Sequence, residues 1–211
     1  MKYNVNKEWN SLVRRRKWIK YRRFVSVNQW SPIESTECDD IEPFIDISVG
    51  GYNVPGGQKE HLSVWAVTIL GKIVFRENVE RLSPEGTNWK NIGVSQGFEV
   101  SQISCGPTGL VWAVSWDGSA LVRTGVTREN LTGNSWICIE PPNDTKLNQV
   151  SVGVDAVWAL TRDYRVFFRK GVRGLDSGTN ESSATGSGWV EMMQQMALLT
   201  VTANDQVIIN R

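Results

Sequence analysis

One phrase constrains this chain more than any other feature, because it recurs. Ser63 to Arg76 reads SVWAVTILGKIVFR, Val111 to Arg123 reads VWAVSWDGSALVR, and Val157 to Arg169 reads VWALTRDYRVFFR. Trp65, Trp112 and Trp158 stand 47 and 46 residues apart, and each precedes an arginine (Arg76, Arg123, Arg169) by 11 positions. The flanks keep phase. Upstream stand Ile47-Ser48-Val49-Gly50, Ile103-Ser104-Cys105-Gly106 and Val150-Ser151-Val152-Gly153, and downstream a glycine lies three residues before a second tryptophan: Gly86 and Trp89, Gly133 and Trp136, Gly186 and Trp189. Leu198 to Asn210, LLTVTANDQVIIN, reads as a fading fourth copy with Leu199 in place of the tryptophan and no Ser-x-Gly ahead of it.

Each copy is a β-branched and aromatic run, a short turn and a second β run, which is a hairpin pattern. Short β runs and turns repeating about every 45 residues are the mark of propeller blades, each a four-stranded sheet set around an axis. The expected fold is all-β: a partial β-propeller with blades at 45–92, 100–139 and 148–192 and part of a fourth at 194–211. A buried indole withdraws roughly 150 to 250 Å² from water, on the order of 4 to 6 kcal/mol gross, so the constant spacing of the tryptophans is explained by packing between blades before any ligand is invoked. Gly86, Gly133 and Gly186 read as turn residues with positive φ. Two insertions, Tyr52 to His61 and Asp176 to Ser187, break the period and read as loops at a blade edge.

Composition narrows the chemistry. Cys38, Cys105 and Cys138 are odd in number and widely spaced, and His61 is the sole histidine, so neither a disulfide framework nor a metal site is expected. There is no G-x-S-x-G elbow and no phosphate-cradling glycine loop, so neither an enzyme nor a cofactor is expected. No apolar run approaches the length of a membrane span. The net charge of +1 hides a division: residues 1–25 hold nine Lys/Arg against Glu8, which leaves 14 basic and 21 acidic residues for the remainder.

The basic leader is also aromatic. Seven cations fall in the ten positions from Arg14 to Arg23, with Trp9, Trp18, Tyr21, Phe24 and Trp30 around them. The pattern admits a strand whose guanidinium groups stack between rings, a basic amphipathic helix for a membrane surface or calmodulin, a nuclear or nucleic-acid patch, or a solvated charge run.

Trp9 to Phe24, WNSLVRRRKWIKYRRF, resembles the C-terminal motif of a DysF domain, a module whose tryptophans and arginines stack in ladders. The repeats resemble tectonin repeats. The two in this order, over essentially all 211 residues, are similar to the family of tectonin β-propeller repeat-containing proteins. The resemblance implies the C-terminal strands of a DysF domain at 1–31, an acidic linker at 32–44 and tectonin repeats over 45–211, the whole being a fragment or short isoform. It also implies a non-enzymatic cytosolic tether or adaptor, peripheral on lysosome and autophagosome membranes. Such a protein would act in selective autophagy, in autophagosome–lysosome fusion and in recognition of damaged lysosomal membranes through sphingomyelin bound by the DysF region. The lipid-binding candidates are Trp9, Trp30, Arg14, Arg15, Arg16 and Lys17, with indole in the headgroup layer and cations on phosphate oxygens. The implied partners are sphingomyelin or another membrane lipid, and the autophagy conjugation machinery through regions absent from this chain, with no nucleic acid. Secreted tectonin relatives imply an alternative, a lectin-like propeller binding glycan or lipopolysaccharide; its signal peptide and paired cysteines are not found here.

Overall fold

The computed structural model describes residues 42–54, 61–94, 97–142, 145–174, 184–193 and 196–210, and the backbone at 20–22 and 30–32. The chain divides into two compact units, Met1–Pro43 and Phe44–Arg211. In the first, β1 (Lys20–Arg22) pairs antiparallel with β2 (Trp30–Pro32), Arg22 opposite Trp30. The rest of the basic leader and residues 33–41 of the 32–44 stretch lie outside the described residues. So do most of both insertions, at 55–60 and 175–183.

The second unit is built of three four-stranded antiparallel sheets in simple up-and-down order. The first is β3 (Phe44–Gly50), β4 (Ser63–Thr68), β5 (Ile73–Arg76) and β6 (Trp89–Ile92). The second is β7 (Val100–Cys105), β8 (Val111–Ser115), β9 (Ala120–Thr124) and β10 (Ser135–Ile139). The third is β11 (Leu147–Val152), β12 (Val157–Thr161), β13 (Val166–Lys170) and β14 (Gly188–Met193). A two-stranded sheet follows, β15 (Leu198–Val201) and β16 (Val207–Asn210). The first strands β3, β7, β11 and β15 stand next to one another, the order of propeller blades about an axis.

The second strands read as continuous apolar runs rather than alternating ones: VWAVT and VWAVS are buried at every position, and in the second sheet both faces meet another sheet. Alternate residues serve different neighbours. Val111, Ala113 and Leu121 pack with Trp65, Val67 and Ile73 of the first blade. Trp112, Val114 and Val122 pack with Val150, Val157 and Ala159 of the third.

The serines and glycines upstream of each tryptophan join one blade to the next. Ser48 Oγ accepts the Cys105 N–H at 2.9 Å, Ser104 Oγ that of Val152 at 3.1 Å, and Ser151 Oγ that of Val201 at 2.8 Å. Two residues on, a Cβ at Gly50 would stand 2.5 Å from the carbonyl oxygens of Cys105 and Gly106, and one at Gly106 would stand 2.3 Å from that of Gly153. These glycines are required by the close passage of the next blade's backbone, not by their own φ.

The same bonds correct the reading of the last segment. Leu199 does not hold the tryptophan position, because β15 is a first strand: the Val201 N–H donates to the Ser151 hydroxyl, Thr200 stands where the other blades have serine, and Ile208, opposite Thr200, holds the tryptophan's place. Leu198 to Asn210 mimics the second hairpin of a blade because Thr202 heads a five-residue turn of the same type, with the Thr202 N–H bonded to Gln206 O.

Ser104→Ala leaves the Val152 amide without its acceptor and is expected to cost about 1 to 3 kcal/mol. Gly106→Ala forces the blades apart and is expected to cost a comparable amount, about 1 to 3 kcal/mol by overpacking. Gly93→Ala, where an added Cβ meets nothing within 4 Å, is the near-neutral control. Urea unfolding of the three variants checks the order.

Candidate functional site

Of the ten tryptophans, the six in phase occupy two kinds of position. Trp65, Trp112 and Trp158 lie on second strands opposite Ser48, Ser104 and Ser151; Trp89, Trp136 and Trp189 lie on outer strands opposite Arg76, Arg123 and Arg169. Each arginine reaches over its outer-strand indole, with the guanidinium carbon 5.4, 5.2 and 5.0 Å from the ring centre in the three blades. Its Nε donates to the carbonyl just before the turn glycine, at Glu85, Thr132 and Thr185, over 2.8, 2.6 and 2.9 Å. Gly86, Gly133 and Gly186 have φ of 62°, 64° and 64°, and a Cβ there would press on the backbone carbonyls of Glu77, Thr124 and Lys170. Burial pulls the Arg123 and Arg169 pKa values down from their ordinary level. Arginine still keeps its proton in such a site, and its flat fork can stack and donate together, which a lysine ammonium cannot.

Two of the outer indoles also meet the blade before. Trp136 packs edge-on against Trp65 at 6.3 Å and Trp189 against Trp112 at 5.9 Å, while Trp89 meets Phe44 at 4.7 Å. Trp65, Trp112 and Trp136 are buried; Trp89, Trp158 and Trp189 are half-buried. The Trp189 Nε1–H donates to Glu140 O at 3.0 Å. These rings lie within and between blades. Of the lipid-binding candidates, Trp30 opens β2, with its side chain outside the described residues, and Trp9, Arg14, Arg15, Arg16 and Lys17 fall outside them altogether. Among the described residues no His, Cys, Asp and Glu group could hold a metal.

A hollow of about 510 Å³ opens where the first strands begin, lined in part by Ile45, Asp46, Gln102, Trp116, Asn148 and Arg162. Asp46 Oδ2 accepts the Ile103 N–H at 2.8 Å, and in the next blade Gln102 Oε1 accepts that of Val150 at 3.0 Å. Burial pushes the Asp46 carboxyl above its ordinary pKa, against backbone hydrogen bonds that lower it. Arg162 Nη2 donates to the Trp116 carbonyl at 2.6 Å, joining two neighbouring turns. Little in the sequence marks this place. Its one signal was Trp116, a tryptophan out of phase with the six, set in a turn where the other blades have Ile69 and Arg162.

Residues 63–92, 110–139 and 156–192 match the Hyd_WA propeller family model. Human WBSCR16 superposes on 89% of this chain and 49% of its own with a TM-score of 0.52 at 13% identity; YCF48 bound to D1 peptide superposes on 86% and 51% with 0.53 at 12%. At such identities the likeness is one of fold alone. The chain is thus a β-propeller repeat protein. A Tectonin beta-propeller repeat-containing protein of Drosophila melanogaster is 51% identical over 97% of the chain, and Tectonin beta-propeller repeat-containing protein 1 of Mus musculus 50% identical over 97%. The chain belongs to that tectonin β-propeller repeat-containing family, and it spans 16% and 17% of the length of these two relatives.

Asp46 supplies a test. A carboxyl whose folded pKa is raised stabilises the fold when protonated, and that stabilisation is lost as pH rises through the folded value. Asp46→Asn keeps an acceptor for Ile103 without a charge to bury. It is expected to raise the urea midpoint at neutral pH, and the gain is expected to shrink to nothing as pH falls toward the ordinary carboxylate range.

Proposed function

We propose that this chain is a non-enzymatic tethering module of selective autophagy, peripheral on lysosome and autophagosome membranes, acting in autophagosome–lysosome fusion and in recognition of damaged lysosomal membranes. The propeller supplies a rigid scaffold, and the basic aromatic leader reads sphingomyelin. The observation that carries this reading is the 51% identity over 97% of the chain to a tectonin propeller relative, an extent that leaves room to omit only a few residues and so takes in the DysF-like stretch from Trp9 to Phe24.

The chemistry supports a headgroup reader. Indoles prefer the interface, where an apolar body and one N–H donor are both accommodated, and Arg14, Arg15, Arg16 and Lys17 offer charge-assisted donors to phosphate oxygens. The segment is net positive while the rest of the chain is net negative, so an anionic surface attracts the leader and not the propeller. The autophagy conjugation machinery would be engaged by parts of the relatives that lie beyond this chain.

Flotation of the chain with vesicles of sphingomyelin and of phosphatidylcholine tests the reading. Recovery with sphingomyelin is expected to be several-fold the greater, and Trp9→Ala and Trp30→Ala are each expected to reduce it. Equal recovery on both lipids removes the sensor reading.

A further inference from the structure

The end of the propeller unit where the first strands begin displays an exposed apolar set. Single exposed apolar residues need no explanation, but contiguous groups of them mark contact surfaces. Here the turns between second and third strands of three successive blades each carry such residues at their tips: Ile69 and Leu70 at 55% and 57% exposed, Trp116 at 53% and Tyr164 at 55%. The tips are held rigidly. Each is closed by a bond back to the residue that heads it, Gly71 to Thr68, Gly118 to Ser115 and Tyr164 to Thr161. Each is also tied to the following blade, where Gly71 O accepts the Val100 N–H, Gly118 O that of Leu147 and Tyr164 O that of Met196, all at 2.9 Å.

Tyr164 adds a second, independent sign. The position it holds requires a left-handed backbone, and the two earlier blades fill it with glycine: Gly71 at φ 72°, Gly118 at φ 92° and Tyr164 at φ 67°. A bulky aromatic residue there is strained, and strain of this kind persists at sites of function. Yet the residue is more than half exposed, so the strain secures little packing within the blade.

Among these tips lies the hollow of about 510 Å³. One carboxylate, Asp46, and one guanidinium, Arg162, sit in it among the amides of Gln102 and Asn148, so its charges cancel. We propose that this end of the propeller is a docking face for an extended peptide of a partner protein, whose apolar side chains seat on Leu70, Trp116 and Tyr164 while its backbone spans the polar hollow. A neutral backbone offers N–H donors and C=O acceptors together, which matches a hollow holding both signs and no net charge. An extended chain sends alternate side chains to the same side, so one strand can reach tips on several blades. Acyl chains of a bilayer laid over the same face would strip water from the Asp46 carboxylate and the Arg162 guanidinium, and burying charge is costly.

The test pans a random peptide library on the full chain and measures the selected peptides by fluorescence anisotropy against the wild type and three variants. Trp116→Ala and Leu70→Asp are each expected to weaken binding about tenfold or more. Leu82→Asp, at an 87% exposed position in the turn before β6, is expected to leave binding within about twofold. All three sites are exposed, and circular dichroism confirms that each variant folds. Selection of no peptide that depends on Trp116, or an equal loss in Leu82→Asp, overturns the proposal. Flotation of the chain on phosphatidylcholine vesicles that is abolished by Trp116→Ala and Leu70→Asp overturns it too, by assigning the face to lipid.

Discussion

A serine hydroxyl set two residues ahead of a glycine is the contact on which the propeller unit depends. Apolar faces of adjacent sheets attract one another without direction, so burial alone does not fix how one blade lies against the next. The Ser48, Ser104 and Ser151 hydroxyls fix it by accepting single backbone N–H groups of Cys105, Val152 and Val201. Gly50 and Gly106 then leave the space through which the neighbouring backbone passes. A slip of one residue would take each N–H from its hydroxyl and turn every side chain of the strand to the wrong face. At the other end the turn carbonyls of Gly71 and Gly118 hold the starts of β7 and β11, and that of Tyr164 holds Met196 just ahead of β15, so the orientation is fixed at two points.

The 11-residue interval from tryptophan to arginine follows from that frame. A five-residue turn joins the second and third strands, and the register puts Trp65 opposite Phe75 and Arg76 opposite Val64. Tryptophan and arginine therefore lie on opposite faces of their own sheet and serve different interfaces. Trp65 goes forward to Trp136 in the next blade, whereas Arg123 folds over Trp136 in its own. An outer indole such as Trp136 is clasped between a guanidinium from its own sheet and an indole from the sheet before. Cys105 belongs to the same junction, and burial pushes its thiol up to about 12, so it acts there as a small apolar group.

How much of this the sequence shows depends on whether a feature is periodic. The blades, their turns and the phased indoles recur, and recurrence is visible along a chain. Pairing between blades is not, because nothing in SVG or SCG says that its serine bonds a strand some fifty residues onward. The last segment shows the cost of that blindness. LLTVTANDQVIIN has the alternation and the Thr-headed turn of a second-and-third-strand hairpin, and it is the place beside β11 and the bond from Val201 N–H to Ser151 that identify β15 as a first strand. Asp46 was hidden for a related reason. Its place is held by Gln102 and Gln149 in the next two blades, so it looked like an ordinary polar residue until burial of its carboxylate came into view.

A repeat protein carries its own comparison set. Serine, tryptophan, arginine and the turn glycine stay constant across three blades because each is committed to a junction that every blade must make. The residues at the turn tips are released from that demand, and there the copies diverge: Ile69 and Leu70, then Trp116 and Asp117, then Arg162 and Asp163. Turns of this kind ordinarily hold small or polar residues, since an apolar side chain there finds nothing to pack against. Where a rigid scaffold is uniform and its tips are varied and in part apolar, the uniform part accounts for stability. The varied part is then left to account for recognition.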